Sequence, residues 1–170
     1  QADAGCRELP PGNRLKAAMI VSRADYGPDE VVAARSVLVE LVHLLGEYRD
    51  EIVIVGGWVP LLLLPESADR HVGTLDVDLA LDHRTLQDAS YKTIQELLLG
   101  RGYRQGSQPY IFHRDVPIGE RLITVQVDLL AGEYEGAGKS HRTQSIQDIR
   151  ARKARGCELA FDIYKEIAIS

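Results

Sequence analysis

The sequence predicts an α/β (α+β) domain built as a mixed β-sheet with helices packed on it. Three observations lead there. Stretches of helical period alternate with stretches of strand period along the chain. The segment EIVIVGG holds an unbroken β-branched run, Ile52 to Val55, ended by Gly56 and Gly57. The segments LDVDLALD and ITVQVDLL place apolar residues at every second position, as strands with one buried face require.

Each element follows in order. Residues 1–14 read as a loose lead-in, because Pro10, Pro11 and Gly12 break any helix. The segment LKAAMIVS, residues 15–22, suits a short helix or a strand equally. Gly27, Pro28 and Asp29 give a stop and a helix start. From there to about Leu45, Val31, Ala34, Leu38, Leu41, Val42 and Leu45 recur at helical spacing. Ile52 to Val55 form a buried strand. WVPLLLL, Trp58 to Leu64, is expected as a short helix with Pro60 in its first turn. PESADRHVG is a polar loop, and LDVDLALD the second strand. TLQDASYKTIQELLLGRGY reads as one helix closed by Gly100 and Gly102. PYIFHRDV and ERLITVQVDLL read as two strands around a turn containing Pro117 and Gly119. AGEYEGAGKSH is glycine-rich and expected to be mobile. Ser145 to about Ile169 looks helical, with Ile146, Ile149, Leu159, Ile163 and Ile167 as core positions and a break at Gly156.

The expected organisation is therefore a lead-in at 1–14, a core at 15–140 and a C-terminal helical segment at 141–170. A chain that opens on Gln1 and ends on the apolar stretch YKEIAIS is expected to continue in a longer protein. At 170 residues, 45% hydrophobic and 26% charged, the chain can bury a core without covalent staples. Cys6 and Cys157 lie near opposite ends and form no metal-ligand pair, which points to a reducing, cytoplasmic setting. A net charge of −5 argues against non-specific nucleic-acid binding, leaving only local basic patches such as Arg150 to Arg155. No apolar run approaches the roughly 18 residues of a membrane span.

The chemistry gathers on two strands. Alternation puts Asp76 and Asp78 on one face of their strand, about 7 Å apart. Two carboxylates so close repel unless a cation lies between them, and hard oxygen ligands suit Mg²⁺ or Mn²⁺. In ITVQVDLL the outward set is Thr124, Gln126 and Asp128. If the strands are neighbours, Asp128 joins the pair, and three carboxylates on one wall suit two-metal phosphoryl chemistry. Gly56 and Gly57, just after a strand and just before a helix, allow close approach of a phosphate.

Gly56-Gly57-Trp58, Asp76-Val77-Asp78 and Val127-Asp128-Leu129 together resemble the signature of the nucleotidyltransferase superfamily with the polymerase-β-like fold. Val55-Gly-Gly-Trp followed by Thr74-Leu-Asp-Val-Asp-Leu looks closest to minimal enzymes related to the AbiEii-type toxins. The resemblance spans roughly Glu51 to Leu130; the gap between the glycines and Asp76 is longer than is usual there. It implies that Asp76 and Asp78 bind both metals and bridge to a nucleoside triphosphate. It implies that Asp128 holds the metal near an acceptor hydroxyl, and that Gly56, Gly57 and Trp58 contact phosphate. Nucleoside monophosphate would pass to that hydroxyl with release of pyrophosphate. The acceptor stays open among tRNA, a protein and a small molecule, and an antitoxin partner belongs to the same implication. A lysine from a later helix also serves such sites, and Lys153 is the candidate, ahead of Lys139.

Other readings stand beside this one. The aspartates suit a solvated strand face, Trp58 suits the core, and Lys153 suits a solvated helix face with Arg150, Arg152 and Arg155. A degenerate member of the same fold would bind nucleotide or a partner without transfer. GAGKS suggests a P-loop, but the first glycine of that motif would fall on Glu133, and Gly132 is one place too early.

Overall fold

The computed structural model describes residues 27–64, 74–86, 92–133 and 142–169. The expectations for residues 1–26, for PESADRHVG and for most of AGEYEGAGKSH lie outside the described residues.

The first helix, α1, spans Pro28–Leu44 and begins with proline in its first turn and Asp29 and Glu30 beside it, where acidic side chains suit the helix dipole. Ala33, Ala34, Val37, Leu38 and Leu41 form its buried stripe. Strand β1 (Ile52–Val55) leads through Gly56 and Gly57 into α2 (Trp58–Leu63). Strand β2 is Asp76–Leu81. Helix α3 occupies only Ile94–Arg101, shorter than the sequence suggested. Thr93 caps it: its hydroxyl accepts from the Glu96 N–H while the Glu96 carboxylate accepts from the Thr93 N–H. Gly102, at φ 95°, closes it.

A two-residue strand β3 (Arg104–Gln105) follows, then β4 (Ile111–Ile118) and β5 (Arg121–Ala131). Ile118 pairs with Arg121, so the turn is Gly119–Glu120, with Gly119 at φ 59°; Pro117 belongs to the strand. The expected C-terminal helix is not there. Residues 143–153 instead form a hairpin, β6 (Thr143–Ile146) and β7 (Ile149–Lys153), and only a short 3-10 turn at Cys157–Phe161 is helical. Ile146 and Ile149, spaced like helix neighbours, face each other across a two-residue turn.

The described strands share one mixed sheet, in which β1-β2-β5-β4-β3 lie side by side and β6 and β7 stand off that path. β2 and β5 run parallel; β1 is antiparallel to β2, and β4 to β5. Beyond the end of β4, β7 takes over the free edge of β5 through Leu130 and Ala131. One face of the sheet carries Val77, Leu79, Leu81, Val125, Val127 and Leu129, buried under α1, α3 and Trp58. The other face carries the aspartates and, further along, a small cluster of Ala80, Leu130 and Cys157 packed with Val53, Val55 and Phe161. The 3-10 turn thus covers one end of the aspartate face. Among the described residues, no helix is long and apolar enough to cross a membrane.

Candidate functional site

Strand register assembles the site. Asp78 lies directly opposite Asp128 across the parallel β2–β5 pair, and Asp76 opposite Gln126. Directly paired residues share a face, so the three aspartates are on one wall, as the alternation in each strand predicts. Asp128 is buried, at 8% exposure; Asp76 and Asp78 are half-buried. Burial raises the pKa of Asp78 to about 6, with the charges of Asp76 and Asp128 adding to the rise and that of Arg152 opposing it.

The neighbours divide the donors among them. Thr74 donates its hydroxyl to an Asp76 carboxylate oxygen. Gln126 donates its amide N–H to Asp128 Oδ1 at 2.9 Å. Asp78 faces the glycine turn. Val55 pairs with Asp78, which brings the end of β1 against it. Gly56 there has φ 73°, a conformation side chains rarely adopt. A Cβ on it would stand 2.2 Å from Asp78 Oδ2, so glycine is required twice over. A Cβ on Gly57 would stand 2.8 Å from the Thr74 Cβ. Both glycines therefore belong to the wall of the site.

Trp58 is 4% exposed and packs in the main core. Its indole N–H donates to the Asp76 carbonyl at 2.9 Å. What it does for the site passes through the backbone of β2, since no ring face is free to stack on a base.

Lys153 is at the last position of β7 and pairs with Ala131, one residue out of phase with the aspartate wall. Its expected helix is this strand. The residue in phase is Arg152, which pairs with Leu130, two positions beyond Asp128. The Arg152 guanidinium stands over the Tyr110 ring, 5.9 Å from its centroid. The sequence carried a signal for this pair only after the hairpin is known: Ile149 and Ala151 are buried while Arg150 and Arg152 are exposed. Lys139 and the GAGKS segment lie outside the described residues.

The donors are hard, charged oxygens on one wall, the kind that hold Mg²⁺ or Mn²⁺. Among the described residues, however, no three His, Cys, Asp or Glu side chains converge as a metal-holding group. Like charges repel, and the carboxylates of Asp76 and Asp128 turn to Thr74 and Gln126 instead. No family model, no curated protein and no solved structure matches this chain.

Proposed function

We propose that this chain is a nucleotidyltransferase of the polymerase-β-like kind, one that moves a nucleoside monophosphate from a nucleoside triphosphate to a hydroxyl acceptor. The observation that carries the reading is the register of Asp78 opposite Asp128, with Asp76 on the same face and Gly56 closed against Asp78. It supports the reading because it gathers three carboxylates on one strand face, where like charges cost stability unless a cation lies between them.

The three aspartates would hold Mg²⁺ or Mn²⁺. The all-oxygen donor set fits such a cation, and the missing Cβ of Gly56 lets the Asp78 carboxylate pack against the turn. Bound there, the cation would neutralise charge on the triphosphate and on the attacking oxygen. The residues of the chain do the rest. Asp128, buried beside Asp78, takes the proton of the acceptor hydroxyl. The hydroxyl oxygen bonds to the α-phosphorus, the bond to the β-phosphate oxygen breaks, and pyrophosphate leaves. Gln126 holds Asp128 in place, and Thr74 and Trp58 hold Asp76. The Gly56–Gly57 turn lets the triphosphate approach the backbone.

The test is calorimetric titration of each of the four nucleoside triphosphates, with and without Mg²⁺, into wild type and Asp76→Asn/Asp78→Asn, followed by an assay for label transfer from the α-phosphate. Cation-dependent binding lost in the double variant, with transfer to an RNA, protein or small-molecule acceptor, is the expected result. The carboxylates that do not converge favour a second reading, a protein of this kind that binds nucleotide or a partner such as an antitoxin without transfer. Binding with no transfer to any acceptor would select it.

A further inference from the structure

We infer that Arg152, seated over the Tyr110 ring at the edge of the aspartate wall, is the residue that grips the polyphosphate of the donor nucleotide. The inference rests on the reading above and adds to it a positively charged side chain.

Among the described residues, the topology places Arg152 at the edge of the wall. β4 occupies one edge of β5 as far as Asp128, where Ile111 pairs with it. β7 then takes the same edge at Leu130. The handover sets Tyr110, the residue before β4, next to Arg152. Leu129 donates its N–H to the Tyr110 carbonyl at 2.9 Å, which fixes Tyr110 at the seam. One strand across and two residues along puts the Arg152 Cα about 8 Å from that of Asp128. That distance is within reach of a long side chain and a small anion between them.

The chemistry fits the position. A guanidinium offers a planar fork of donors that matches phosphate oxygens two at a time. Stacking on an aromatic ring at this distance is attractive and limits the rotamers the side chain must give up on binding. Arg152 is exposed, and among the described residues it forms no ion pair. A cation at the edge of the acidic wall that is not neutralised by a described carboxylate suits a ligand that carries its own negative charge. Lys153, out of phase on the same strand, faces away from this wall.

The test measures binding of inorganic tripolyphosphate and of the four nucleoside triphosphates, each with Mg²⁺, by calorimetry on the full chain. The expected result is a loss of about tenfold or more for Arg152→Ala, as for a charge-assisted bidentate contact. Arg152→Lys should recover part of it. Tyr110→Leu should weaken binding severalfold, and Tyr110→Phe should leave it unchanged. Arg150→Ala is the control, in phase on the same strand but beyond Tyr110. Melting temperatures of the variants should match wild type, since the side chain is exposed. If wild type binds and Arg152→Ala binds within twofold of it, the inference is overturned while the proposed function stands. Equal losses for Arg150→Ala and Arg152→Ala would overturn it too, as a general basic surface. If tripolyphosphate binding follows Arg152 but no label is ever transferred, the inference holds and the transfer reading falls. Absence of binding by wild type overturns the inference.

Discussion

At the scale of single residues, Gly56 has the sharpest role. Its φ of 73° costs any other L-residue roughly 1–2 kcal/mol. The added Cβ would also meet Asp78 Oδ2 at 2.2 Å. Gly119 separates the two effects, because at φ 59° its Cβ would meet nothing within 4 Å. Gly119→Ala should therefore show the backbone cost alone, about 1–2 kcal/mol in urea unfolding. Gly56→Ala should exceed it by a further cost of about 1 kcal/mol or more as Asp78 is pushed aside. Gly56→Ala should also lose cation-dependent nucleotide binding that Gly119→Ala keeps. Equal costs at the two positions would mean that Asp78 moves freely and that the glycine turn does not shape the site. The Asp-x-Asp strand and Asp128 were legible in the sequence, because a period of two leaves no freedom about which face they share. Arg152 was not, because its phase depends on a hairpin whose turn has no glycine.

At the scale of elements, the sequence foretold what strong periodicity or a fixed punctuator marks. The α1 helix, the β-branched β1, the Pro60 helix and the alternating β2 and β5 lie where their patterns put them, but the buried stripe of α1 takes in Ala33 and Val37 and leaves Val42 exposed. The hairpin β6–β7 carries a helix-like pattern for a physical reason. Ile146 and Ile149 are three apart, and that spacing serves equally one face of a helix and the two sides of a two-residue turn. Gln147 takes φ 51° without the glycine or asparagine that advertises such a turn. It holds there through contacts made elsewhere: its side-chain oxygen accepts from the Ile94 N–H at 3.1 Å, and Asp148 accepts from the Thr93 hydroxyl at 2.7 Å. The start of α3 and the turn of the hairpin thus fix each other. The Thr93–Glu96 capping box is present in the sequence as T-x-x-E, inside a segment that reads as one longer helix. Thr93→Ala removes one cap and one tie together, so it should cost about 1–2 kcal/mol, at or above an ordinary N-cap loss. Hydrogen exchange should show faster opening at both Ile94–Leu98 and Ile146–Ile149. Faster exchange confined to α3 would mean that the hairpin stands without it.

At the scale of the whole molecule, the acidic wall sets how stability answers to pH. Asp78 is raised from 3.8 to about 6 in the folded chain. The folded state therefore holds this proton more tightly than the unfolded chain does. The resulting stabilisation is complete below the unfolded value and is lost as pH rises through about 6. Glu30, Glu40, Asp82 and Asp115 run the other way: hydrogen bonds and ion pairs with Arg121, Arg114, Arg84 and Thr124 lower their pKa values. Their contribution is lost as pH falls. The bulk curve mixes both signs, so only a difference isolates Asp78. Asp78→Asn keeps a neutral side chain at every pH. In metal-free buffer the variant should gain on wild type as pH rises from about 4.5 to 8, by on the order of 1 kcal/mol once solvent screening is allowed for. Added Mg²⁺ should reverse the order at the upper end, because wild type gains a ligand that the variant binds less well. A difference between the two proteins that stays flat across this range would mean that burial, with the charges of Asp76 and Asp128 beside it, does not hold the Asp78 proton in the folded chain. A cost of ionising Asp78 that disappears only when a cation is supplied would tie the cost of this wall to its use.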